Sequence, residues 1–148
     1  MRNFVLALVF DEDLSNVVMI KKNRPPRFAG RLNGVGGKME PGESYRSTME
    51  REFREETGLH IKRGWAKIDE VAFMDGRMTI WTARADISEV KTMTDEEIII
   101  VPVVDMLDLI HRNKIYALED HGVEIDVLNT WFPMAYAYQH NRLHQIIK

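Results

Sequence analysis

Apolar residues run almost unbroken from Phe4 to Phe10, and again through Val17-Val18-Met19-Ile20 inside the stretch 16–22. Short runs of this kind, rich in β-branched and aromatic residues, predict two buried strands, with the acidic stretch 11–16 as a hairpin loop. Pro25-Pro26 halts regular structure, and a glycine-dense loop then carries the chain to Gly42. Neither Gly nor Pro occurs over 44–57, and Gly58 stands where a helix would stop. Strands are predicted over 66–74 and 78–85, joined by an Asp75-Gly76 turn. The β-branched run 98–104 reads as a central strand, with Pro102 marking an edge or a bulge late in it. A short helix is expected over 106–110 and a long one over 130–140. No repeat or linker divides the chain, so the pattern predicts one α/β domain, a mixed sheet with helices packed on it.

Composition narrows the function. The 148 residues include no cysteine, which removes disulfides, thiolate zinc sites and cysteine nucleophiles from consideration. The five histidines, His60, His111, His121, His140 and His144, have no metal-ligand spacing with the acids. With 20 Lys+Arg against 23 Asp+Glu the formal net charge is −3, too little basic character for strong binding to a nucleic-acid duplex. The run from Phe4 to Phe10 is too short to cross a bilayer and lacks a cleavage site, so a cytoplasmic protein is expected.

The mean charge hides a sharp asymmetry. Between Leu14 and Met39 there is no acid, while Lys21, Lys22, Arg24, Arg27, Arg31 and Lys38 supply cations. Residues 40–56 then hold six Glu and three Arg, a local excess of −3 equal to that of the whole chain. Six of the nine glycines fall between Gly30 and Gly58, where a ligand is expected to approach the main chain. At 100° per residue, Glu56 and Glu55 lie about 40° and about −60° from Glu52, so three carboxylates share one face of the expected helix. Crowded carboxylates raise the cost of ionising one another, and a divalent cation relieves it. A solvated helix laced with ion pairs to Arg51 and Arg54 is the alternative. Oxygen-only ligands favour magnesium or manganese, and neighbouring cations suit a metal-bound polyphosphate.

The order Gly37-x5-Glu43-x7-Arg51-Glu52-Phe53-Arg54-Glu55-Glu56-Thr57-Gly58-Leu59 resembles the Nudix hydrolase signature, with every fixed position present. The resemblance implies an α/β/α sandwich with a mixed sheet over 1–148 and hydrolysis of a nucleoside diphosphate linked to another group. It implies that Glu52, Glu55 and Glu56, with the carbonyl of Gly37, hold magnesium, and that Glu52 orients or deprotonates the attacking water. Arg51 would pair with Glu43 and steer the carboxylates, and Gly58 would cap the helix. A further acid from outside the motif is expected at Glu96, or failing that Glu97.

The segment from Phe28 to Lys38 is similar to the branch of this family that cleaves nucleoside triphosphates to a monophosphate and pyrophosphate. On that resemblance Asn33 contacts the base, its amide offering both donor and acceptor, or is an ordinary turn residue. Phe28 either stacks on a base or closes the core, and Lys38, Arg24 and Arg27 are candidate phosphate contacts. Near the C-terminus, Trp131 or Phe132 is expected to line a base pocket, and Asn129 to contact the base or cap the last helix. Val127 and Leu128 occupy the place where oxidised-purine hydrolases carry paired aspartates, which opens the choice to unmodified nucleotides and pyrimidines. Phe73-Met74-Asp75 stands where ADP-ribose hydrolases often carry a proline. The expected partner is a small nucleotide, with no duplex and no membrane, and the protein a monomer or homodimer. Nucleotide sugars, ADP-ribose, dinucleoside polyphosphates, or nucleotide or RNA binding without catalysis are the other readings.

Overall fold

A computed structural model describes residues 2–116 and 122–145; His121 lies outside the described residues. Its centre is β1 (Arg2–Phe10), whose apolar residues alternate between two faces of a seven-stranded mixed sheet. Leu6, Leu8 and Phe10 enter one core, and Val5, Ala7 and Val9 the other. Along one edge β1 runs parallel to β6 (Gly76–Arg84) from Arg2 to Phe10, and β5 (Ala66–Phe73) continues the sheet beyond β6.

The other edge of β1 changes partner midway. Val9 and Phe10 pair with β2 (Asn16–Lys21), whereas Phe4 to Ala7 pair with β4 (Val35–Lys38). The two-residue strand β3 (Leu32–Asn33) stays with β2. The glycine-dense segment expected to be loop is therefore partly sheet, because its glycines let the backbone fit where side chains cannot. A Cβ at Gly36 would collide with the carbonyl of Val5, and one at Gly34 would lie 2.5 Å from the Leu6 side chain.

The strand β7 (Glu97–Pro102) corrects another expectation. It pairs with β2 alone, among the described residues, and none of its residues is buried, so it is an edge strand rather than a central one. Pro102, which has no N–H for a ladder, ends it. The helix that follows, α2 (Val103–Tyr116), is longer than expected. Val103 and Met106 are buried and Ile110 packs beside them, a helical spacing that continues past 110 with no Gly or Pro to stop it.

The last helix also differs in its start. α3 (Phe132–Gln145) is entered through a π-helical turn at Val127–Trp131, in which the Phe132 N–H donates to the Val127 carbonyl. Pro133 explains the wide turn: it cannot donate to the Asn129 carbonyl and its ring crowds that group. Asn129 thus sits inside the turn and does not cap it. The Glu124 carboxylate accepts the N–H groups of Asp126 and Val127 instead, at 2.9 and 3.1 Å.

α1 (Tyr45–Thr57) covers the second face of the sheet. Ser44 and Ser47 form a reciprocal cap at its start, and Gly58, at φ 80°, closes its end with an N–H to the Arg54 carbonyl at 2.8 Å. Met49 and Phe53 point into the core, where the Phe53 ring meets Trp65 edge-on at 5.8 Å. Phe53 lies between Glu52 and Glu55, so this contact fixes the rotation of the acidic face. Phe53→Ala should cost about 3–5 kcal/mol and lower Tm by roughly 10 °C in thermal unfolding, with Phe53→Leu closer to the parent.

Candidate active site

The acidic face of α1 lies against β4. Glu52 is 9% exposed, and its carboxylate rests on the backbone of Gly37, where any Cβ would overlap it. Glycine is required at 37 for this close approach rather than for an unusual dihedral. Burial pushes the Glu52 carboxyl up to about 7, although the charge and hydrogen bond of Arg51 oppose the shift. Burial also raises Glu56, against the Thr94 hydroxyl, which donates to Glu56 Oε2 at 2.8 Å. Glu55 is the exposed member of the three.

Arg51 holds this face together. Its Nε and Nη2 donate to the two oxygens of Glu43 at 2.7 and 3.0 Å, and Nη2 also to the carbonyl of Lys38 at 3.0 Å. Nη1 reaches Glu52 at 3.0 Å and Glu55 at 3.1 Å. That engages every N–H direction of the guanidinium, a set of contacts the ammonium of a lysine cannot reproduce. The hydrogen bond from Arg51 holds the Glu43 carboxyl down at about 2. Among the described residues no three acids converge to hold a metal ion as they stand. Arg51 stands between Glu52 and Glu55, and Thr94 ties Glu56.

Glu96 is buried, as a functional acid in this place would be, but both its oxygens are engaged. Oε1 pairs with Lys22 at 2.8 Å and Oε2 accepts the Asn23 N–H at 2.6 Å. Burial opposes its ionisation, yet Lys22, Asn23 and Arg24 outweigh burial and leave Glu96 below the ordinary carboxylate range. Glu97 is exposed. Arg24 pairs both terminal nitrogens with Asp95, at 3.0 and 3.1 Å.

A cleft of about 600 Å³ opens where β1 passes from β4 to β2, with Gly37 at one end. Phe28, Asn33 and Arg27 line it, and the Arg27 guanidinium lies 4.7 Å over the Phe28 ring. Phe28 is half-buried and outside both cores. Asn33 Oδ1 accepts the Gly34 N–H at 2.8 Å. The remaining expected contacts are not brought to the cleft. Lys38 is exposed at the end of β4, Asn129 faces Asn113, and Trp131 is in the core with its Nε1–H donated to Asp69 at 3.1 Å. Conversely, Lys22, Phe4, Phe73, Arg2 and Asp75 line the cleft without having been singled out as contacts. Lys22 and Phe73 had a local signal, a place in the cationic run before Pro25-Pro26 and an aromatic beside a hairpin turn.

The Glu52 shift has a pH consequence. A carboxyl whose native pKa exceeds its unfolded value binds its proton more tightly in the native state. Its burden on stability is therefore absent below about pH 4.5 and grows as the pH rises towards about 7. Glu52→Gln should raise Tm by a few degrees at pH 8 and give no gain near pH 4.5, measured by thermal unfolding without divalent metal.

Comparison with known proteins bears on the family and the fold. Over 45 residues the chain is 42% identical to a Mycobacterium tuberculosis protein named "Putative 8-oxo-dGTP diphosphatase 2", a match spanning 30% of this chain and 32% of that protein. The match thus covers about a third of the length of the curated relatives. The fold resembles MutT from Aliivibrio salmonicida and Vibrio cholerae, with TM-score 0.63 and 23% identity over 72% of this chain and 84% of the other. It also resembles the NUDIX domain of Shewanella oneidensis NrtR, solved with ADP ribose, with TM-score 0.61 and 19% identity over 72% and 75%. A MutT NUDIX hydrolase of Burkholderia pseudomallei gives TM-score 0.59 and 21% identity over 70% and 84%. The NUDIX domain profile matches residues 2–146, and the chain belongs to the NUDIX domain family.

Proposed function

We propose that the chain is a magnesium-dependent nucleoside triphosphate pyrophosphohydrolase, releasing a nucleoside monophosphate and pyrophosphate. The observation that carries this reading is the Glu52 carboxylate seated on Gly37 at one end of a cleft lined by the cations Lys22 and Arg27 and by aromatic and aliphatic side chains. Such a cleft suits a ligand with an anionic, metal-binding end and a flat apolar one.

The donors fit a hard divalent cation. Glu52, Glu55, Glu56 and the Gly37 carbonyl offer only oxygen, and burial of Glu52 and Glu56 leaves both carboxyls harder to ionise without a countercharge. When bound there, magnesium, or manganese in its place, would supply charge neutralisation on the phosphate oxygens and lower the pKa of water. Glu55, exposed and paired only with one Arg51 nitrogen, would be the third carboxylate to hold the cation, while Arg51 keeps its paired bond to Glu43 and holds α1 on β4. Glu52 orients the attacking water and takes its proton as the water oxygen bonds to phosphorus in line with the departing bridging oxygen. Lys22 and Arg27, both lining the cleft, neutralise the remaining phosphate charge, with Glu96 positioning Lys22. Arg24 is committed to Asp95 and serves to tie the 22–28 loop down.

We read the protein as acting on small nucleotides in the cytoplasm, as a monomer or homodimer. Among the described residues no helix is long and apolar enough to cross a membrane. The intact acid set supports catalysis over simple binding, since a binder has no need of three carboxylates with an arginine to steer them.

A panel of nucleoside triphosphates, ADP-ribose, nucleotide sugars and dinucleoside polyphosphates, assayed with and without magnesium, tests the reading. Triphosphates should be turned over to monophosphate and pyrophosphate only with metal. Glu55→Gln and Glu56→Gln should each lower kcat by about 100-fold or more. Turnover of none of the panel, or full activity in Glu55→Gln, rejects it, and a preference for ADP-ribose or a nucleotide sugar replaces the substrate. Arg51→Lys should also lose activity, by roughly 10–100-fold, because the bidentate hold on Glu43 is lost.

A further inference from the structure

The cleft has a second end, at the turn between β5 and β6. In the strand register Gly37 stands beside Val5, and Gly76 stands beside Arg2 on the opposite edge of β1. Three residues along the strand and two strand spacings across place these ends about 14 Å apart. That span suits a nucleotide lying with its phosphates over Gly37 and its base at the turn.

The chemistry of the far end is specific. Phe73 is 40% exposed, and its ring centroid lies 6.0 Å from that of Phe4 at a tilt of 35°, an aromatic pair in the cleft with the Arg2 guanidinium 5.4 Å from the Phe4 ring. Asp75 is the one acid lining the cleft among the described residues, and Arg2 stands 3.7 Å from it. Both side chains are about 60% exposed, so neither is committed to the interior. Asn33, the other candidate reader, is buried and already spends one lone pair of its amide oxygen on the Gly34 N–H, and unlike a carboxylate it has one acceptor oxygen rather than two. A base edge that presents N–H groups therefore finds its acceptor at Asp75.

A carboxylate accepts two parallel hydrogen bonds when the ligand presents two adjacent donors. Among the common bases guanine alone does so, through N1–H and the 2-amino group, with O6 beside them as an acceptor for a guanidinium. Adenine and cytosine set a ring-nitrogen acceptor next to their single amino group, and uracil and thymine place one N–H between two carbonyls. Each of these turns a lone pair towards the carboxylate, which is repulsive. We propose that Asp75, with Arg2 beside it, reads the hydrogen-bonding edge of a guanine base stacked on Phe73 and Phe4, and so determines base specificity in this cleft. The inference rests on the nucleotide-hydrolase reading for the direction in which the ligand lies.

Asp75→Asn tests it without disturbing the turn, since Asn-Gly suits the same hairpin and the Arg2 N–H bonds the backbone carbonyl of residue 75. Calorimetric titration of the full chain with GMP, IMP and AMP reads the base end independently of hydrolysis, IMP lacking only the 2-amino group. The wild type should bind GMP about ten- to hundredfold more tightly than IMP or AMP, and Asp75→Asn should abolish that preference by weakening GMP most, IMP less through its single N1–H, and AMP not at all. Equal binding of the three by the wild type, or a preference that survives in Asp75→Asn, overturns the proposal. Turnover of dGTP and dITP, run in parallel, separates the two readings. Hydrolysis without a guanine preference overturns the Asp75 assignment alone. A guanine preference in binding that Asp75→Asn removes upholds the assignment even where neither triphosphate is cleaved, and that result rejects only the hydrolase.

Discussion

One guanidinium balances the acidic face on which the site is built. Three glutamates on one side of α1 and a fourth in the loop before it repel one another, and Glu52 is buried as well. Arg51 meets this by spreading its donors over Glu43, Glu52, Glu55 and the carbonyl of Lys38. The last contact reaches from helix to strand, so the same side chain that offsets the charge also sets the distance between α1 and β4. Phe53 acts from the opposite side of the helix. Wedged against Trp65, it keeps α1 from rolling, and the two anchors together explain why a carboxylate can be held in contact with the backbone of Gly37.

The cleft depends on a different constraint, the change of partner along β1. A strand has one hydrogen-bonding edge on each side, and on one side β1 gives its second half to β2 and its first half to β4. The space between these two branches becomes the cleft. Loop 22–28 borders it on one side, tied down by Glu96 and Asp95, and Thr94 in the same segment bonds Glu56. The segment 94–96 therefore links the cation-bearing rim of the cleft to the acidic helix.

Much of this could be read from residue order. The Ser44 to Gly58 interval, free of helix breakers, marked α1, and the acid spacing placed Glu52, Glu55 and Glu56 on one face. What escaped was whatever depends on contacts between distant segments. The 98–101 run is as apolar as a central strand, yet it is an edge, because strand order is decided by pairing rather than by composition. Trp131 resembled a pocket residue and is a core residue, with its Nε1–H donated across to Asp69 on β5. Asp75 looked like nothing more than a turn former. Its side chain gains meaning only once the parallel pairing of β1 and β6 sets it beside Arg2.

The glycines of the β4 region have a consequence for how this scaffold can change. At 34, 36 and 37 the first carbon of any side chain would strike Leu6, the Val5 carbonyl or the Glu52 carboxylate. That wall of the cleft is made of main chain and has no room for variation. The opposite rim is built from exposed side chains on a loop and a hairpin turn, where replacement is cheap. Divergence in what this cleft accepts is therefore channelled to one rim, while the end at Gly37 stays the same.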